Sequence, residues 1–217
     1  DQIGGWFPGG EGRAVDVDIA LDIRGAVPPW EPGTLRPEAG RVLATQEEGA
    51  LMGGPRFEQL SAVTGTVRVG DERFDLRGGG LRIRRRGVRR LADFRGHAWQ
   101  SARFPDGRAF GYIAYPPRTD GQPTFNEGYV FDGSGPLVPA RAVEVPWLTG
   151  VQPRGGAEGD NVSLVLETEA GTTTITGATA LSTFMVLGPL EGFKLQQAIV
   201  RYEWDGLVAH GMLERST

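Results

Sequence analysis

Residues 97–115 read "HAWQSARFPDGRAFGYIAY". Two strand-like runs flank Asp106-Gly107, a dipeptide that favours a tight hairpin because both positions accept positive φ. Within the first run His97, Trp99 and Ser101 share one face by the two-residue period of an extended chain. The same grammar continues to the end of the chain. "NEGYVF" (126–131), "LVPARAVEV" (137–145), "NVSLVLET" (161–168), "TTTITGATALSTFMV" (172–186), "KLQQAIVRYEW" (194–204) and "LVAHGMLER" (207–215) follow as further runs. Asp132-Gly133, Ala170-Gly171 and Asp205-Gly206 stand between neighbouring runs as turn signals. About eight short strands joined by hairpins predict an all-β, antiparallel lipocalin-like barrel, or strongly curved sheets, over residues 93–217. The one competing helix signal is "STFMVLGPLEGFKLQQAI" (182–199), which Gly188-Pro189 would interrupt.

Upstream, "RAVDVDIALDI" (13–23) alternates Val15, Val17, Ile19, Leu21 and Ile23 against Asp16, Asp18 and Asp22, the pattern of a half-buried strand. "VPPWEPGTLRPEAG" (27–40) is an irregular loop, since its prolines cannot donate to a ladder. "AVTGTVRVGDERFDLRG" (62–78) predicts two strands around Gly70-Asp71. The chain therefore divides into residues 1–92 and the barrel region 93–217.

Composition narrows the function classes. With 217 residues, 39% of them hydrophobic, the chain can bury a core without staples. A net charge of −4 argues against nucleic-acid binding, which favours a basic excess. No run approaches the roughly 18 to 20 apolar residues of a membrane span, and no signal-peptide pattern opens the chain. The absence of cysteine excludes disulfides, thiolate metal sites and a cysteine nucleophile, and cytoplasm is the default compartment. His97 and His210 are the only histidines, too few for a metal site without an acidic cluster, so no metal or cofactor is expected. No Gly-x-Ser-x-Gly elbow supports a hydrolytic triad.

Residues 78–90, "GGGLRIRRRGVRR", invite a phosphate reading that fails, because no Lys-Ser/Thr pair and no helix follow the glycines. Extended, the segment puts Arg82, Arg84 and Arg86 on one face. They form either an anion clamp or a solvated strand face. Lys194 is the only lysine among 23 basic residues, so arginine is this chain's general cation.

The ordered series "RFEQLSAVTGTVRVGDERFDLRGGGLR" (56–82), "GVRR" (87–90), "WQSARFPDGRAFGYI" (99–113), "GYVFDGSG" (128–135) and "GLVAHGMLERS" (206–216) resembles the carotenoid 1,2-hydratase (hydroxyneurosporene synthase) superfamily. Within it the likeness is to uncharacterised bacterial relatives built from two lipocalin-like halves. In those relatives a Gly-x-Arg-Asp-His-Ser-Trp-Gly-x-Arg segment occupies the place of "GLRIRRRGVR" (80–89). Gly80, Arg82, Gly87 and Arg89 match, while Ile83, Arg84, Arg85 and Arg86 replace the Asp, His, Ser and Trp. The resemblance also implies a longer N-terminal region. The first half is therefore expected to be incomplete, leaving an open edge or borrowing a partner, such as a second copy in a homodimer.

The resemblance implies a hydrophobic ligand of terpenoid, polyketide or lipid-like character, held in a barrel. Glu58, Glu127 and Glu214 fall at landmark positions, either ion-paired to Arg82 or Arg89 or kept protonated as proton donors. Glu58, His97, Glu127 and Tyr129 are the candidate catalytic groups. Arg82, Arg89, Trp99, Tyr112 and Glu214 are the candidate ligand contacts. Aromatic residues, with Trp147, Phe184 and Trp204 among them, either line a cavity or fill it. Two functions fit this sequence. One is a barrel that binds such a molecule and adds water to, dehydrates or isomerises its alkene; the other is a noncatalytic binding or structural module.

Overall fold

The computed structural model describes residues 14–36, 55–88, 94–120, 124–149, 159–187 and 193–217. Eight strands follow one another in the second part: β4 (His97–Arg103), β5 (Ala109–Ala114), β6 (Asn126–Phe131), β7 (Val138–Glu144), β8 (Leu164–Thr168), β9 (Gly171–Leu187), β10 (Phe193–Trp204) and β11 (Leu207–Ser216). Each pairs antiparallel with the next, and β11 returns to β4, closing the barrel. Every run expected from alternation is a strand. The 182–199 helix alternative is overturned: its described residues belong to β9 and β10, whose ladder runs from Phe193↔Leu187 to Glu203↔Thr176. The last hairpin shows the turn chemistry directly, with Asp205 and Gly206 at φ 49° and 76° between β10 and β11.

Alternation decides what fills the barrel. Ala98 and Ala102 of β4, Phe110 and Tyr112 of β5, Leu164 and Leu166 of β8, and Val200, Tyr202 and Trp204 of β10 belong to one buried cluster. A polar chain runs through it: Tyr202 Oη donates to Gln100 Oε1 at 2.7 Å, and Gln100 Nε2 donates to Tyr112 Oη at 2.9 Å. Toward one end, Arg215 donates to Gln196, to Asp160 at 3.2 Å and to the Pro146 carbonyl at 3.0 Å. Tyr112 and Trp204 thus pack within the interior cluster.

The first part is a single three-stranded sheet, β1 (Val17–Gly25), β2 (Arg56–Val69) and β3 (Glu72–Arg85), in that order. The Gly70-Asp71 turn joins β2 to β3, and the triple glycine is strand, with Gly78, Gly79 and Gly80 opposite Val63, Ala62 and Ser61. Register partners share a face, so Ile19, Val67 and Phe74 form one row and Leu21, Gly65 and Leu76 the next. The stripe on β1 departs from expectation: its apolar residues are exposed, Ile19 at 60%, because no layer among the described residues covers that face.

The other end of this sheet docks onto the barrel. Val27, Trp30 and Leu60 pack with Trp99, Ala109, Ile113, Phe125, Tyr129 and Phe131 in a second buried cluster. Trp30 continues the ladder through an isolated bridge to Glu58.

Two outcomes follow. Tyr202→Phe strands the Gln100 carbonyl oxygen in an apolar interior and is expected to cost about 1–3 kcal/mol, read by urea unfolding. Ile19→Lys, on a solvent-facing row, is expected to change stability by no more than about 0.5 kcal/mol.

Candidate functional site between sheet and barrel

The alternation that sends Ala98, Gln100 and Ala102 inward sends His97, Trp99, Ser101 and Arg103 to the outer wall. An outer wall normally meets water. Here His97, Trp99 and Ser101 are buried: Trp99 packs with Val27, Trp30 and Leu60, and the Phe94 ring stands 5.5 Å from the His97 ring. Cross-strand pairing sets the wall in rows: Met212, Ser101, Gly111 and Tyr129 in one, Glu214, Trp99, Ile113 and Glu127 in the next. Gly111 is required for the first row. A Cβ there would meet the Tyr129 ring at 2.8 Å, so the ring lies across the glycine, toward the side where Ser101 pairs.

Three carboxylates occupy this layer in three environments. Glu58 accepts from Trp99 Nε1 at 3.0 Å and from Arg56, whose guanidinium also stacks over the Trp99 ring at 5.1 Å. Burial outweighs the Arg56 and Trp99 contacts and raises the Glu58 pKa above the ordinary carboxylate range. Glu127 accepts from Trp30 Nε1 at 2.8 Å and from the Gly33 backbone N–H at 2.7 Å, and burial raises it too. Glu214 goes the other way. Burial pushes it up, but the hydrogen bond and charge of His97, with Gln197, bring it below its usual value. His97 Nε2 lies 3.0 Å from Glu214, its Nδ1 lies 2.7 Å from Ser216 Oγ, and Gln197 donates to Glu214 at 2.6 Å. Tyr129 is buried, and burial first and the Glu58 charge second raise its hydroxyl pKa.

The structure thus gathers Glu58, His97, Trp99, Glu127, Tyr129 and Glu214 in one layer. It separates the other expected residues from them. Tyr112 points into the barrel. Arg82 stacks over Phe57 at 5.3 Å on the sheet face opposite Glu58 and Leu60, so the expected Arg82 pairing with Glu58 or Glu214 gives way to Arg56–Glu58 and His97–Glu214. Arg82, Arg84 and Arg86 are exposed, a solvated face. Arg89 lies outside the described residues. Sequence reasoning missed Arg56, Trp30 and Gly111. A tryptophan isolated among prolines, and Gly-Tyr occurring at both 111–112 and 128–129, were the available signals.

Two cavities border this layer. One, of about 340 Å³, lies between the triple glycine of β3 and the outer wall, with Leu60, Leu81, Ser101, Ile199 and Met212 among its walls. Gly79 shares the barrel-facing side of β3 with Leu81, and a Cβ on it would meet nothing closer than the Ser61 carbonyl at 3.9 Å, so the missing side chain opens the space. The second, of about 310 Å³, shares Ile199 and Met212 and reaches Glu214 and Gln197.

Residues 11–217 match a family described as Domain of unknown function (DUF7064). Among solved structures the fold is similar to that of an AttH candidate from Nitrosomonas europaea, with a TM-score of 0.59 at 16% identity, over 94% of this chain and 63% of that one. Kievitone hydratase from Nectria haematococca aligns with a TM-score of 0.44 at 12% identity, over 92% of this chain and 61% of that one. The chain thus spans less than two thirds of the length of these structures. None of the curated proteins matches. Among the described residues no helix is long and apolar enough to cross a membrane.

The lowered Glu214 pKa fixes the sign of one pH effect. Its contribution to stability is full above the unfolded value of 4.5 and is lost as pH falls through the lower folded value. Glu214→Gln is expected to flatten this acid limb, with a loss of about 1–3 kcal/mol at neutral pH that disappears in acid, followed by thermal melting across the acid range.

Proposed function

We propose that this chain, which belongs to the DUF7064 family, binds an apolar small molecule against the outer wall of its barrel, in the cavity opened by Gly79. The cavity carries the reading: its volume falls in the range of small-molecule sites, and Leu60, Leu81, Ile199 and Met212 give it apolar walls. The buried cluster that Phe104, Phe110, Tyr112, Tyr202 and Trp204 form inside the barrel supports the outer location. The reading treats residues 1–92 as an open lipocalin-like half that walls the site, not as a second closed barrel. Its support is the single-layered sheet with one apolar face exposed.

The test is titration with the neutral fluorescent probe N-phenyl-1-naphthylamine. Gly79→Leu projects a side chain into the cavity without backbone strain. It is expected to weaken the probe by about tenfold or more, equivalent to about 1.4 kcal/mol, at unchanged melting temperature. Probe binding indifferent to Gly79→Leu would remove the cavity as the site, and no binding by the parent protein would favour a structural module.

A second reading, addition of water to an alkene of such a ligand, is favoured by one observation beside the family resemblance. Glu58 is a carboxyl whose pKa burial raises above the ordinary carboxylate value, two residues along the same strand face from the cavity wall at Leu60. In such a reaction the Glu58 proton passes to one alkene carbon, water attacks the other, and the proton shed by that water returns to Glu58. A hydratase of this design loses activity as pH rises through the raised Glu58 pKa, and Glu58→Gln abolishes turnover while probe binding persists.

A further inference from the structure

The polar part of the same cavity is one-sided. Ser101 lines it, is 1% exposed, and its Oγ has no hydrogen-bond partner among the described residues. Arg103, two residues along the same outer face of β4, lines it as well, and its buried Nε is likewise without a partner. A buried donor without an acceptor costs free energy unless something occupies the space beside it. Arg56 also has a buried Nε without a hydrogen-bond partner, but it holds Glu58 through a terminal nitrogen, as Arg108 holds Asp106 and Asp205 and Arg215 holds Asp160, whereas Arg103 makes no ion pair among the described residues. Among the residues lining the cavity, His210 is the other titratable side chain, and no carboxylate is present. The walls are otherwise apolar or glycine. Donors gathered at one place, no acidic side chain and an apolar remainder describe a receptor for a molecule with an anionic head and a hydrocarbon body.

Resting on the cavity reading above, we infer that the ligand is an amphipathic carboxylic acid, its carboxylate accepting from Ser101 Oγ and the Arg103 guanidinium and its chain lying along Gly79, Leu60 and Leu81. The carboxylate supplies the two acceptors that the buried donors lack. Met212 and Ile199 stand at the boundary with the second cavity, so a longer chain extends toward it.

The experiment is displacement of N-phenyl-1-naphthylamine by dodecanoate, methyl dodecanoate and dodecanol at equal ionic strength. Dodecanoate is expected to displace the probe at about tenfold lower concentration than the ester or the alcohol, the scale of a charge-assisted hydrogen bond. Arg103→Met is expected to erase that preference while the probe still binds. Arg103→Lys retains part of it, and Ser101→Ala reduces it with little effect on melting. Equal displacement by acid, ester and alcohol, or an unchanged preference in Arg103→Met, overturns this inference and leaves the apolar cavity standing. Failure of the parent protein to bind the probe, or binding insensitive to Gly79→Leu, overturns the cavity reading itself. If Arg103→Met does not fold, Arg103→Lys and Ser101→Ala decide the matter, and an undiminished preference in both counts against it.

Discussion

The docking of β2 onto the barrel wall is the contact on which the rest depends. Trp99 donates its indole N–H to Glu58, Arg56 closes over the same indole, and Trp30 spans from its bridge with Glu58 to the Glu127 carboxylate. These contacts join a three-stranded sheet to a closed barrel through residues at one end of β2. They also give β4 two buried faces, a condition more usual for central strands of layered α/β folds than for a hairpin barrel. A wall built for solvent would carry charge freely. This one encloses polar groups that need partners: a tryptophan N–H donates to Glu58 and another to Glu127, while Ser101 Oγ and one Glu127 oxygen have no hydrogen-bond partner among the described residues.

Burial then sorts chemically identical groups. Glu58, Glu127 and Glu214 lie in one layer, yet the first two are held toward protonation by desolvation and the third is held ionised by His97 and Gln197. The difference comes from the partners: an imidazole that can carry charge stands beside Glu214, whereas Glu127 has mainly neutral N–H donors. For Glu58 the nearby arginine does not compensate for the loss of water. Carboxyls with raised and lowered pKa values thus coexist in one layer, and neither direction follows from residue type alone.

The glycines act by what they leave out. Gly111 admits the Tyr129 ring, and its pairing partner strand repeats the device, since a Cβ on Gly128 would sit 2.5 Å from the Cβ of Tyr112. Two Gly-Tyr dipeptides on antiparallel neighbours thereby set one tyrosine inside the barrel and one outside. Gly79 leaves open space instead. The same residue type packs one interface tightly and leaves a cavity in another, according to whether an aromatic ring stands opposite.

Strand positions, the hairpin turns and the antiparallel order of the barrel were legible in the sequence, because two-residue alternation and turn chemistry are local and each is written within a few neighbouring residues. The grouping of His97, Trp99 and Ser101 on one face was legible for the same reason. Which way that face looks, and whether water reaches it, was not. The inside of a barrel is defined by closure, through the pairing of β11 with β4, and the cover over the outer wall comes from β2, some forty residues earlier in the chain. The exposed stripe of β1 shows the same limit from the other side, since alternation reports that one face is apolar and is silent on what lies against it. The arginine run misled on partners: strand geometry put Arg82 and Arg84 on the face turned away from the barrel, and Arg56, at the head of the 56–82 stretch but not singled out within it, took the place beside Glu58. Local physics determined the elements. Only the packing of one layer on another decided which side chains lost their water, and with it their chemistry.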